Sequence, residues 1–237
     1  MLLSCCREVI RYAQSVLQFF YPKIFSFSMK LPVLNINGGE TGRTIELPEN
    51  VFGIEPNDHV LYLAVKAHLA NQRQGTHKAK QRNEISGSTR KLHRQKGTGG
   101  SRKGGIKNPL YRGGGRVFGP VPRDYSEKVN VKVKRLARRS ALTYKAKETA
   151  ITVVENFNFA APKTKDYIKL LDALKLGGKK TLLVVAENTP NVYLAARNLP
   201  KTEVVTASEL NTYQILHADN LILCENAVEK VVAPLQA

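Results

Sequence analysis

The 237-residue sequence predicts an α/β fold: a parallel sheet covered by helices, three-layered and Rossmann-like, with a long extended basic loop inserted after the first helix. Three observations carry this. After residue 150, short apolar runs alternate with helical patterns, as they do in a parallel sheet with helices on both faces. Before residue 75, two short strand patterns and one helix pattern belong to the same kind of body. Between them, residues 75–123 hold 11 of the 17 glycines and no hydrophobic periodicity. A structureless stretch that long inside a domain is functional or disordered.

Residues 1–28 are apolar and aromatic, but Arg7, Glu8 and Arg11 interrupt the run and no A-x-A cleavage site follows, so a signal peptide is not expected. Met29 is the only methionine after Met1, and the globular pattern begins beside it; the expectation is that Met29 is the natural start and 1–28 an upstream segment. The body then divides into 29–74, an arm at 75–123, and 124–237. Leu31–Ile36 and Thr44–Leu47 read as strands around the turn Asn37-Gly38-Gly39. Asn57 or Asp58 caps a helix running to about Arg73, with Val60, Leu61, Ala64, Val65 and Ala67 on its buried face and Gly75 as its stop. The arm, fully extended out and back, could reach roughly 80 Å at about 3.3 Å per residue. Lys128–Lys147 is the next helix. Strands follow at Ala150–Val154, Thr181–Ala186, Glu203–Thr206 and Leu221–Cys224. The helices between and after them are Thr164–Leu176, one after Pro190, and Asn226–Leu235.

The net charge of +18 is concentrated. Residues 73–147 carry 22 Lys and Arg against three acids, Glu84, Asp124 and Glu127, while the rest of the chain has 15 basic and 16 acidic residues. Self-repulsion on that scale calls for a polyanionic partner. A membrane surface fits poorly, because the block has no apolar stripe of Trp, Phe and Leu. No uncharged apolar run of spanning length exists. Adjacent Cys5 and Cys6, with Cys224, make no disulfide framework, and a reducing compartment is expected.

Catalytic motifs fail on inspection. Gly99 to Gly104 has P-loop spacing, but Gly105-Ile106 follow where Lys-Ser is needed. The dinucleotide pattern fails at Gly97-Thr98-Gly99, where Arg102 takes the last glycine's place, and at Gly113-Gly114-Gly115, where Phe118 does. The five histidines show no metal spacing. His217 and Cys224 are a conceivable base and nucleophile, but Cys224 reads better as a core residue in a strand. No enzyme, cofactor, metal site or small-molecule substrate is expected.

RNA chemistry is what remains. Candidate phosphate-binding residues on the arm are Arg73, Lys78, Lys80, Arg82, Arg90, Lys91, Arg94, Lys96, Arg102, Lys103, Lys107, Arg112, Arg116 and Arg123. On the following helix, Lys128, Lys132, Arg135 and Arg139 form a ridge of like charge that an outside anion would relieve. Glycines would let the backbone approach phosphates closely. His93, Tyr111, Phe118 and Tyr125 are rings able to stack on unpaired bases. Such an arm is expected to be largely disordered alone and to order on RNA.

At these residues the sequence resembles a known family, the universal ribosomal protein four of the large subunit, bacterial type. Arg73-Gln74-Gly75-Thr76, Ser86-Gly87-Ser88 and Arg94-Gln95-Lys96-Gly97-Thr98-Gly99 carry the likeness. Lys107-Asn108-Pro109, Arg112-Gly113-Gly114-Gly115, Phe118-Gly119-Pro120, Pro122-Arg123-Asp124-Tyr125 and Lys128-Val129-Asn130 continue it in order. Ala161-Pro162-Lys163-Thr164-Lys165 and Ala195-Ala196-Arg197-Asn198-Leu199 extend it into the body, so that it spans about residues 29–237. Many members have Pro-Trp at Leu92-His93 and Trp at Tyr111. The resemblance implies a structural constituent of the cytoplasmic ribosome that binds 23S-type rRNA early in assembly. Its arm tip, Leu92, His93, Arg94, Gln95, Lys96, Gly97 and Thr98, would line the nascent-peptide exit tunnel beside ribosomal protein twenty-two of the large subunit. Some members also repress their own operon on its mRNA leader; a free regulatory RNA-binding protein is the alternative reading.

Overall fold

The computed structural model describes residues 29–236; the expectation for 1–28 lies outside them. Six strands form one sheet in the order β2-β1-β3-β6-β4-β5. β1 (Met29–Leu34) and β2 (Glu40–Leu47) are an antiparallel hairpin at one edge. The turn begins at Asn35, two residues before the expected Asn37. There Asn35 N–H donates to the Gly39 carbonyl at 2.8 Å, and Gly38 takes φ 79°. β3 (Ile151–Val154), β4 (Thr181–Val185), β5 (Thr202–Thr206) and β6 (Asn220–Cys224) run parallel to one another and to β1. The sheet is therefore mixed, mostly parallel, rather than purely parallel.

Helices are α1 (Glu49–Phe52), α2 (Asp58–Asn71), α3 (Val131–Lys147), α4 (Thr164–Ala173), α5 (Pro190–Arg197), α6 (Thr212–His217) and α7 (Glu225–Gln236). The crossovers β3-α4-β4 and β4-α5-β5 run one way along the sheet, and β5-α6-β6 runs back. Right-handed crossing places α4 and α5 on one face and α6 on the other. Packing agrees: α4 lies against α5, while α3 packs with α1, α6 and α7. The core lies between these layers. Leu183 on β4 pairs in register with Ile222 on β6, and both are fully buried. Every residue of β4 is buried, as expected of a strand covered on both faces.

Several boundaries differ from the sequence expectation. α1 follows Pro48 and buries Val51 and Phe52, so the arm follows the second helix, not the first. α3 starts at Val131, because Asn130 at ψ 146° is still extended. α4 stops at Ala173; Lys175 takes φ 57° ahead of the Gly177-Gly178 pair that was to end it. α6 was not anticipated, although Asn211 and Gln214 make a reciprocal capping box: Gln214 N–H donates to Asn211 Oδ1 at 2.8 Å.

By its internal contacts, residues 66–128 form a unit separate from the sheet-bearing body.

Candidate nucleic-acid interface

The arm is built as a hairpin without a sheet. At its base, the Asn71 side chain mimics a strand partner: its Oδ1 accepts from Glu127 N–H at 2.8 Å and its Nδ2 donates to the Glu127 carbonyl at 3.3 Å. Further out, Arg123 N–H donates to the Gly75 carbonyl (3.2 Å), Ala79 to Pro120 (3.0 Å), Arg116 to Lys80 (3.0 Å) and Leu92 to Gly104 (3.2 Å). These rungs keep a nearly constant antiparallel register, so the midpoint of each falls close to residue 98. The apex is therefore Gly97-Thr98-Gly99; of the expected tip residues, Leu92–Lys96 occupy the outbound limb leading into it and Gly97 and Thr98 lie in it. Gly97 and Gly99 have φ 84° and 65°.

The glycines divide into two sorts. A Cβ on Gly75 would strike the Arg123 carbonyl oxygen, and its φ of 66° adds strain; a Cβ on Gly115 would strike the Arg82 backbone. These glycines let limb approach limb, which the sequence reading had assigned only to backbone and phosphate. Around Gly97, Gly99, Gly100 and Gly104 a Cβ would meet nothing within 4 Å. Of residues 72–127, only Gly105 and Gly115 are buried, so the arm has no hydrophobic core.

The candidate cations sit on this frame. Arg73, Lys80, Arg82, Arg90, Lys91, Arg94, Lys96, Arg102, Lys103, Arg112, Arg116, Arg123 and Lys128 are exposed, and Lys107 is half-buried. Lys78 is also exposed, but its ammonium lies 2.7 Å from Glu84. All three acids of the block are engaged locally. Lys78 and then the Gln81 N–H hold the Glu84 carboxyl below its ordinary value. The Ser126 hydroxyl and N–H do the same for Asp124. Glu127 lies 3.1 Å from Lys66.

Two of the four candidate rings are partly engaged. Tyr125 carries the Arg123 guanidinium 4.4 Å and the Arg73 guanidinium 5.5 Å from its centroid, with His77 beside it at 6.3 Å. Lys103 Nζ lies 5.5 Å over Tyr111. Phe118 is 98% exposed and His93 is exposed.

On the body, α3 carries Lys132, Arg135 and Arg139 at i, i+3 and i+7. Lys128 precedes the helix and drops from the ridge. Lys132 is exposed, while Arg135 and Arg139 are half-buried. The Arg139 Nε is buried with no hydrogen-bond partner among the described residues. Arg138, which the sequence reading passed over, is half-buried, and burial pulls its guanidinium below the ordinary value. Partly desolvated guanidinium groups are screened less by salt than fully exposed ones.

The rival chemistry does not assemble. His217 precedes β6 and Cys224 ends it, so they stand at opposite ends of one strand. His217 meets Lys180 Nζ at 3.3 Å, and burial pushes the Cys224 thiol up to about 12. At the carboxyl ends of β4 and β5, where open α/β sheets bind nucleotides, the cleft is lined by Glu187, Asn188, Thr189, Thr206, Ser208 and Glu209. Two carboxylates and no glycine turn make it a poor phosphate site. Among the described residues there is no cluster of metal-ligating side chains, and no helix is long and apolar enough to cross a membrane.

Residues 45–233 match the model of the Ribosomal protein L4/L1 family. The chain belongs to this family. It is 61% identical over 203 residues to large ribosomal subunit protein uL4 of Parabacteroides distasonis, covering 86% of this chain and 97% of that protein. The same protein of Flavobacterium psychrophilum is 60% identical with the same coverage, and that of Phocaeicola vulgatus 58%, covering 86% and 98%. As a member of the L4/L1 family the chain is a ribosomal protein and not an enzyme.

Proposed function

We propose that the chain is a structural constituent of the large subunit of the cytoplasmic ribosome, held by 23S-type rRNA that it binds early in assembly. The arm and the α3 ridge make the contacts, and Leu92–Thr98, running up to and into the apex, line the nascent-peptide exit tunnel beside ribosomal protein twenty-two. The observation that carries the reading is the arm itself: a cationic hairpin in antiparallel register, its acids engaged locally and its interior without a core. Such a segment has little to hold it in water, where few buried contacts mean low local stability. Counterion release and phosphate pairing then supply the ordering free energy on RNA. That the uL4 relatives are proteins of the large ribosomal subunit supports assembly into that subunit.

Sedimentation of a lysate at low and high salt tests this. The expected result is stoichiometric retention with the large subunit at both. A position at the top of the gradient would refute it and favour a free regulator acting on an mRNA leader.

A further inference from the structure

Residues 105–115 form a closed knot of turns on the return limb. Asn108 N–H donates to the Gly105 carbonyl (3.3 Å), Tyr111 to Asn108 (3.0 Å) and Gly114 to Tyr111 (3.0 Å). Gly115 N–H closes the knot on the Lys107 carbonyl at 3.1 Å. In the middle turn Pro109 fixes its own φ, and the Asn108 side chain accepts from Leu110 N–H at 3.4 Å. Gly114 backs directly onto the Asn108 carbonyl, where a Cβ would collide. The knot thus holds Leu110 outward, 90% exposed. Exposure of one leucine is ordinary; presentation on a braced turn is not. The surroundings have one sign: Lys103, Lys107, Arg112 and Arg116 flank it, and no acid occurs between Glu84 and Asp124.

We infer that this knot, in the ordered arm, is a wedge for folded RNA, with Leu110 set against the face of an unstacked base and Lys107 and Arg112 on the phosphates to either side. An apolar side chain between basic residues matches the chemistry of a nucleic-acid step, whose bases are apolar on their faces and whose backbone is anionic. A protein pocket would need an apolar floor ringed by acids; the unbroken positive charge favours RNA. The wedge rests on the rRNA reading above and adds a contact that reads base stacking rather than charge.

The test uses the full chain and protein-free large-subunit rRNA, with affinity followed over a salt series and 2′-hydroxyl reactivity mapped on the complex. Leu110→Ala and the polar Leu110→Asn are expected to raise Kd about tenfold to a hundredfold, the scale of burying one leucine side chain. The salt slope should not move, since no charge is lost. Both variants should also lose protection at one unpaired step. Leu110→Phe should restore affinity and footprint. Because Leu110 is exposed and lies outside the body, all three should melt with the wild type. Wild-type affinity and footprint for Leu110→Ala would overturn the wedge. So would full binding to naked rRNA combined with poor retention in assembled subunits, which would place Leu110 on a protein. Failure of the wild type to bind rRNA would instead refute the parent reading and take the wedge with it.

Discussion

Replacing Gly115 with alanine tests whether close approach of the two limbs shapes the arm. The added Cβ would stand 2.5 Å from Arg82 Cα and 2.8 Å from the Gln81 carbonyl carbon, where contacts of a real Cβ begin near 3.0 Å. The obstacle is backbone, so the limbs must part by roughly half an ångström. That stretches the neighbouring bond between the limbs, Arg116 N–H to the Lys80 carbonyl at 3.0 Å, to the edge of hydrogen bonding. Losing that bond costs about 0.5–1.5 kcal/mol, and forcing the crowded backbone apart about 1–3 kcal/mol. A total of about 1.5–4.5 kcal/mol falls on the ordered arm. If that order is reached on RNA, the whole cost appears in binding, as a rise in Kd of about 10- to 1,500-fold. Titration of the full chain into protein-free large-subunit rRNA reads it directly, and the salt slope should stay at the wild-type value. Gly104→Ala, which places its Cβ in open space, should bind within about twofold of wild type. A wild-type Kd for Gly115→Ala would refute the reasoning. An equal loss in Gly104→Ala would show instead that these glycines admit phosphate.

Other outcomes follow from the same geometry. Arg116→Ala should weaken rRNA binding modestly and lower the magnitude of the salt slope by about 0.7–0.9, one phosphate contact; a slope unchanged to within error would remove Arg116 from the interface. Cys224, its thiol pushed up to about 12 by burial, should resist alkylation at pH 8 in the folded protein and react after denaturation, as peptide mapping will report. Glu84 has its carboxyl held below the ordinary 4.5 by Lys78. The corner it makes is therefore fully supported above that pH and loses support as pH falls through the depressed value. The Gln81 amide resonance should titrate below pH 4.5, and a midpoint above it would contradict the pairing.

The body was legible because burial writes itself into composition. Thr181–Val185 is buried at every position, and an unbroken apolar run is what such a strand must be. Ends were harder. Lys175 ends α4 by taking a left-handed φ, which nothing in its side chain announces, and α1 is only four residues long. α6 was readable in principle, from Asn211 and Gln214. In the arm the cations and the rings were visible, since charged and aromatic side chains are counted directly, whereas the tip came from the family resemblance. Their use was not. That Lys78 turns to Glu84, that two arginines cover Tyr125, and that Gly115 faces Arg82 are long-range facts set by register. No local pattern marks a register carried by isolated backbone bonds.

The constant register of the arm also limits how its length can change. A residue inserted in one limb, say between Lys80 and Leu92, would put every rung beyond it out of step unless the other limb gained one at the same level. Residues added at the apex, between Gly97 and Gly100, would disturb no rung at all. Insertions and deletions in arms of this kind should therefore occur as matched pairs across the hairpin or cluster at its turn. A lone gap in either limb should carry a compensating bulge beside it.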